Sequence, residues 1–439
     1  METMRKYEKP MTKTLLSFLG IDSVQSSPAP GAPFGEGTRK VLDAFLSLTS
    51  SIGMKTKDLE GYSAYAEIGE GELLGIPLHL DTVPFGADWS ASPLGEVREE
   101  EGETVIYGRG AEDDKGPFVA VFYALKALLD EGRKPRRRIR IIAGVNEESG
   151  WKCIERYLKT EEIPSLSFSP DADFPVIHCE KGVCHARVTF KKPSEIDFIR
   201  GGERVNMVAD RAELKMKTMS DGTLSKCMKG LAKIKFQEDG FLLSATGVSA
   251  HGSTPDKGEN AILKLLYAAK SSNEFIADLY DAFFKTDGSG LGLQMSDEES
   301  GALTMNLGYA ETTEDEISFG LDIRYPVSKK EEEILSAVKK ALPGAFVSVT
   351  GRHAPLFVPK DSELVRSLTD AYNEVTNEGA SPIAIGGATY ARAFPNAVAF
   401  GPVFPGEESH IHQKDECIKL SNFVKCAEIY KKALEKLAF

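Results

Sequence analysis

A chain of 439 residues is long enough for two or three domains with apolar cores. Its 41% hydrophobic and 27% charged residues are a globular composition and exclude a mostly disordered chain. The 66 Asp+Glu outnumber the 53 Lys+Arg, a formal net charge of −13 that argues against bulk binding to nucleic acid or an anionic membrane.

No run approaches the ~18 apolar residues of a membrane span. The stretch Leu15–Ile21 follows Arg5, Lys6, Lys9 and Lys13, but it is minimal and leads into no small-residue cleavage site. An amphipathic first helix and a cytoplasmic protein are therefore expected. Ala64–Ile68 and Leu73–Leu80 read as short strands, the second running into Asp81 as His79-Leu80-Asp81. Thr104–Tyr107 is another, ended by Gly108-Arg109-Gly110. Phe118, Val121, Phe122, Leu125, Leu128 and Leu129 recur at helical spacing before the stop at Gly132. Arg138–Gly144 is the strongest strand pattern; a helix at Trp151–Leu158 and a strand at Leu166–Ser169 follow. This alternation predicts an α/β domain with a largely parallel sheet.

From about Val183 the pattern changes. Strands are predicted at Ala186–Phe190, Ala212–Lys217, Phe241–Thr246, Ala302–Leu307, Ile317–Arg324 and Phe346–Val349, with helices near Leu224–Lys233, Asn260–Ser272 and Lys329–Leu342. The end returns to helix (Ser362–Asn377), strand (Ala397–Phe400) and helix (Cys417–Leu437). The expected organisation is an α/β domain formed by 1–182 and 360–439, interrupted by an α+β insertion at 183–359. The six cysteines (Cys153, Cys179, Cys184, Cys227, Cys417, Cys426) form no CxxC pair and read as reduced, buried thiols.

Five polar clusters follow predicted strands or lie near the end of the chain. In His79-Leu80-Asp81 the His and Asp fall on one side of the strand, so an imidazole can ligate a metal while a carboxylate fixes its tautomer. Gly108–Gly116 contains Glu112-Asp113-Asp114-Lys115 in a glycine-rich turn without P-loop spacing. Glu147-Glu148 are adjacent carboxylates that repel unless cations or protons compensate; one can bind metal while the other acts as a base. Ser169-Pro170-Asp171-Ala172-Asp173 and His410-Ile411-His412 complete the set. Each alone is better explained as a solvated loop or a hydrogen-bonded His. Together they supply His, Asp, Glu, Asp and His without sulfur, a set suited to two divalent ions such as Zn²⁺, Mn²⁺ or Co²⁺. Two such ions ~3.5–4 Å apart acidify a water and promote amide hydrolysis.

The decisive stretches are Gly75-Ile-Pro-Leu-His-Leu-Asp-Thr-Val-Pro84, Gly108-Arg-Gly-Ala-Glu-Asp-Asp-Lys-Gly-Pro117, Asn146-Glu-Glu-Ser-Gly-Trp-Lys-Cys153, Ser169-Pro-Asp-Ala-Asp-Phe-Pro175 and Glu180-Lys-Gly182. Ser249-Ala-His-Gly-Ser253, Asp322-Ile-Arg-Tyr-Pro326 and Gly386-Gly-Ala-Thr-Tyr-Ala-Arg392 extend them. Over nearly the whole chain this text resembles the M20 metallopeptidases, most closely the PepV-like dipeptidases.

The resemblance implies a catalytic domain of zinc-exopeptidase type with an inserted lid, holding two divalent ions, Zn²⁺ ahead of Mn²⁺ and Co²⁺. His79 would bind one ion, with Asp81 orienting it, and Asp113 would bridge both. Glu148 would bind the second ion and Asp171 would complete the shell of the first. His412 fits the last ligand through the Gln-Lys-Asp-Glu that follows it. Asp415 stands where the family usually has Asn, so His410 stays open as an alternative. Glu147 would be the general base for a metal-bridged hydroxide and later the proton donor. In the insertion, His251 would polarise the scissile carbonyl with Asn206, and Arg324 would hold a substrate carboxylate.

The implied activity is hydrolysis of dipeptides, including β-alanyl dipeptides, by a monomer that binds neither nucleic acid nor membrane. The rivals are an N-acyl amino-acid deacylase of the same family and a metal-free peptide-binding relative; the latter would have lost a ligand or the base. His178, His185 and His353 show no partner pattern, Trp89 and Trp151 read as packing residues, and Asp114 and Asp173 as supporting or solvated.

Overall fold

The computed structural model describes residues 2–439, with side chains from Met4 onward. The chain divides into two units. One contains the chain up to His178 with Val358–Ile383 and Thr389–Phe439; the other is Cys179–Phe357 with a short return at Ala384–Ala388.

The first unit is built on a mixed sheet. Its strands run in the order Lys55–Leu59, Ser63–Ile68, Arg138–Gly144, Leu73–His79, Leu166–Ser169 and Ala397–Phe400, followed by the first residues of the strand Val176–Glu180. The four central strands, from Arg138–Gly144 to Ala397–Phe400, are mutually parallel. Ser63–Ile68 and Lys55–Leu59 join antiparallel on one side, and Val176 and Ile177 pair antiparallel on the other. Leu73–His79 is buried at every position, as a parallel strand covered on both faces must be.

Lys115–Asp130 is apolar almost all round, which only a buried helix tolerates, and it packs against Leu420–Ala438. The amphipathic first helix, Glu8–Leu19, buries Met11, Leu15, Phe18 and Leu19. The predicted start of the last helix differs. Cys417–Lys419 is a short strand against Glu103–Tyr107, with Cys417 opposite Tyr107, and the helix begins at Leu420. That pairing sets the Gly108–Lys115 turn beside Glu416, whose carbonyl accepts the N–H of Gly108 at 2.9 Å.

The second unit is an antiparallel eight-stranded sheet in the order Lys233–Gln237, Gly240–Thr246, Arg211–Met216, Ile196–Gly201, Thr304–Thr312, Glu316–Tyr325, Gly182–Lys191, Phe346–His353. Leu214, Leu243, Phe319 and Leu321 form a core with Leu265, Ile276 and Ile334 from the helices Ala261–Ala269, Glu274–Phe283 and Glu331–Ala341. The helix expected at Leu224–Lys233 is shorter, Asp221–Met228. Gly230, at φ 86°, follows it, and Lys233 already belongs to an edge strand. Ile196–Gly201 is a strand that the sequence reading did not separate from its surroundings.

Candidate active site

Three parallel strands deliver the first clusters to one edge of the sheet, the carboxyl-terminal edge where open α/β sheets bind ligands. His79 is the last residue of its strand, in register with Gly144, and the Asn146–Gly150 loop leaves the neighbouring strand at the same level. Asp171 lies just beyond Leu166–Ser169.

His79 is buried, with Nε2 at 2.8 Å from Asp113 Oδ1 and 3.7 Å from Asp171 Oδ1. Its Nδ1 faces the backbone carbonyl of Asp81 at 3.0 Å. The Asp81 carboxylate lies close as well, with Oδ1 3.7 Å from the same Nδ1, and it accepts the backbone N–H groups of Glu147 at 3.1 Å and Glu148 at 3.2 Å. Asp81 therefore ties the imidazole to the start of the glutamate pair.

His412, at φ 62°, places Nε2 3.0 Å from Asp113 Oδ2 and 3.0 Å from Glu148 Oε1. Asp113 thus presents one oxygen to each imidazole. His410 is engaged differently, through its backbone N–H to Glu112 Oε2 at 3.3 Å. Asp415 accepts the backbone N–H groups of Ser90 and Ala91 at 2.7 and 3.2 Å.

The turn that carries Asp113 is gathered by Glu416, a residue the sequence reading gave no role. One oxygen of this buried carboxylate accepts the N–H groups of Gly110, Glu112 and Asp113 at 3.0, 3.0 and 3.2 Å, and the other pairs with Arg109 at 2.7 Å. Gly116 has no room for a side chain, since a Cβ there would lie 2.0 Å from the Ala111 carbonyl.

The donor set fits divalent cations. Ligand atoms of His79, Asp113 and Glu148 lie within 4.8 Å of one another, as do those of His79, Asp114 and Asp171. Asp114 is a candidate that the sequence reading set aside. One of its oxygens accepts the backbone N–H of His79 at 3.2 Å, and the other is buried without a hydrogen-bond partner. The local field is strongly negative. Hydrogen bonds to Asp113 and Glu148 push His412 up to about 10, and burial raises Asp171 to about 6.

Glu147 stands beside this cluster with a different partner. Its Oε1 accepts the indole N–H of Trp151 at 2.9 Å, and Trp151 packs edge-on against Tyr390. Burial pushes the Glu147 carboxyl up to about 8; His79 opposes the shift, while Asp171 and Glu148 add to it. A cavity of ≈ 320 Å³ lined by Gln25, Ser26, Asp81, Thr82, Glu148 and Ser149 opens next to the glutamate pair.

Asn206, His251 and Arg324 belong to the second unit. Asn206 accepts the N–H of Gly252 on its backbone carbonyl at 2.7 Å, and Met207 bridges His251. The His251 Nδ1 lies 2.7 Å from Ser253 Oγ, and burial followed by Arg324 lowers the imidazole pKa. Arg324 is buried, with Nε and Nη2 on the two oxygens of Asp322 at 2.6 and 2.8 Å. Its Nη1 donates to the Gly386 carbonyl at 3.0 Å.

Residues 75–436 match the sequence profile of peptidase family M20/M25/M40. The chain belongs to this family. Membership in M20/M25/M40 makes it a peptide-bond hydrolase that works with divalent metal, for which the cluster supplies candidate ligands. Over 468 aligned residues the chain is 35% identical to the Bacillus subtilis (strain 168) protein named “Putative dipeptidase YtjP”, covering 100% of this chain and 99% of that protein. It is 34% identical to “Putative dipeptidase SAB1611c” of Staphylococcus aureus (strain bovine RF122 / ET3-1), covering 99% and 98%. The fold is similar to that of human carnosine dipeptidase 1, with TM-score 0.59, 14% identity and coverage of 99% and 97%. Among the described residues no helix is long and apolar enough to cross a membrane.

Proposed function

We propose that this M20/M25/M40 member is a cytoplasmic, monomeric dipeptidase that uses two divalent ions, with Zn²⁺ the first candidate, and accepts small dipeptides, β-alanyl dipeptides among them. The observation that carries the reading is the convergence of His79, Asp113, Glu148, Asp171 and His412 with Glu147 alongside but paired to Trp151. Relatives named as dipeptidases over their full length support the substrate class.

In this reading His79 and Asp171 would hold one ion, Glu148 and His412 the other, and Asp113 would be shared between them. Divalent ions held there supply Lewis acidity and make a water acidic enough to attack an amide near neutral pH. Glu147 takes the proton of the attacking water on Oε2, since Oε1 is held by Trp151, and returns it to the departing amine. His251 and Asn206 polarise the scissile carbonyl, and Arg324 binds the carboxylate that ends a dipeptide.

The test is reconstitution. Protein stripped by chelation should regain activity on a dipeptide panel with up to two equivalents of Zn²⁺, Mn²⁺ or Co²⁺, and should turn over N-acetyl and N-succinyl amino acids much more slowly. Full activity in protein verified as metal-free, or turnover confined to the acylated amino acids, would overturn the reading.

A further inference from the structure

A row of polar side chains, two of them buried and His185 half-buried, crosses three neighbouring strands of the second unit. Asp322 is opposite His185 on one side and Asn306 on the other. Asp322 and Asn306 are 0% and 2% exposed, in a sheet whose other face carries the apolar core. Burying a carboxylate is costly unless its lone pairs are satisfied, so this position needs an account of what Asp322 holds.

It holds three things. Residues two apart on a strand share a face, so Asp322 and Arg324 lie side by side, and the carboxylate takes the Nε–Nη2 edge of the guanidinium in a bidentate pair. With Gly386 accepting from Nη1, three of the five N–H groups are engaged, and one remains on each of Nη1 and Nη2. Secondly, Asp322 Oδ2 lies against Gly252: a Cβ at that glycine would be 2.5 Å from it, so the turn bearing His251 rests on this carboxylate. Thirdly, His185 Nε2 is 3.4 Å from Oδ1. Alongside, Asn306 donates to the carbonyls of Val205 and Met207 at 3.0 and 2.9 Å and so fixes the segment around Asn206.

We propose that Asp322 is a positioning residue for substrate recognition: it locks one edge of Arg324, aims the two remaining N–H groups at the substrate carboxylate, and seats the His251 turn. This rests on the reading of Arg324 as the carboxylate-binding residue. Asp322 touches no substrate itself. Without it only the Gly386 carbonyl holds the guanidinium, and the fork loses the edge that aims it.

The test uses the metal-loaded enzyme and reads one ratio, kcat/KM for a dipeptide divided by kcat/KM for its C-terminal amide. That ratio is independent of how much of each preparation is folded. Wild type is expected to favour the free carboxylate by roughly tenfold to a hundredfold. Asp322→Asn should lower the ratio by about tenfold, mainly through KM for the free dipeptide. Asp322→Glu, which keeps the charge, should restore part of it. In an Arg324→Ala background, Asp322→Asn should leave the ratio unchanged. If wild type cleaves no dipeptide, the proposed function fails; if it cleaves dipeptide and amide equally, the role of Arg324 fails, and Asp322 with it. A wild-type preference that survives Asp322→Asn, with both substrates slowed alike, would overturn the positioning role alone.

Discussion

The indole N–H of Trp151 donates to Oε1 of Glu147 at 2.9 Å, leaving the other oxygen of that carboxylate without this partner. Trp151 sits at φ 62°, at the start of the helix Lys152–Thr160, so its side chain turns back toward the residue four positions earlier. Trp151→Phe keeps an aromatic side chain at this position and removes the N–H donor together with part of the indole. The expected result is a fall in kcat of about tenfold, the scale of one hydrogen bond to a charged group, with KM and metal content little changed. Steady-state kinetics with metal analysis decides it; an unaltered kcat would show the bond to be idle.

Adjacent carboxylates with different partners should fail in different ways. Glu147→Gln preserves shape but removes the basic oxygen, and general-base assistance is worth ~10²–10⁴ in rate, so turnover should nearly vanish with metal retained. Glu148→Ala removes a group 3.0 Å from His412 and should lower metal occupancy first. The reverse pattern would exchange the roles of the two glutamates.

Glu416 has a structural task with a measurable cost. Truncation to Ala strands Arg109 in a buried site and leaves three backbone N–H groups without their acceptor. Breaking a buried pair in this way costs about 3–5 kcal/mol. Glu416→Ala should therefore show a markedly lower Tm even with metal chelated, and Glu416→Gln a smaller loss, because its carbonyl can still accept. A wild-type Tm for Glu416→Ala would refute this account of the turn.

Asp322 also predicts a pH dependence. Burial opposes its ionisation, but His185 and Arg324 outweigh that and hold its pKa below the usual carboxylate range. A depressed folded-state pKa stabilises the protein above the unfolded value near 3.9, and that contribution is lost as pH falls through the folded value. Denaturant unfolding at neutral pH and at about pH 3 should show Asp322→Asn losing less stability on acidification than wild type. Parallel losses would remove Asp322 from the acid response.

What was legible in the sequence follows from locality. His79 ends a strand pattern and Glu147-Glu148 and Asp171 come soon after others, so their neighbourhood could be read from order along the chain. The long apolar helix at Lys115–Asp130 was visible for the same reason. Glu416 was not legible, because its acceptor role depends on a turn about three hundred residues away. Trp151 looked like packing, and nothing in its spacing signals an indole aimed at Glu147. Asp322 stands two residues before Arg324 on a predicted strand, and that spacing was the available signal. Ile196–Gly201 escaped notice because its two faces do not alternate cleanly: the register slips between Ile196 and Phe198.

The five-residue return at Ala384–Ala388 makes the second unit a two-piece object. A chimera made by exchanging only Cys179–Phe357 between relatives would import a foreign Arg324 while retaining the host's Gly386, the carbonyl that receives Nη1. Transplanting substrate preference therefore calls for two grafts and four junctions, with the shorter graft as consequential as the longer.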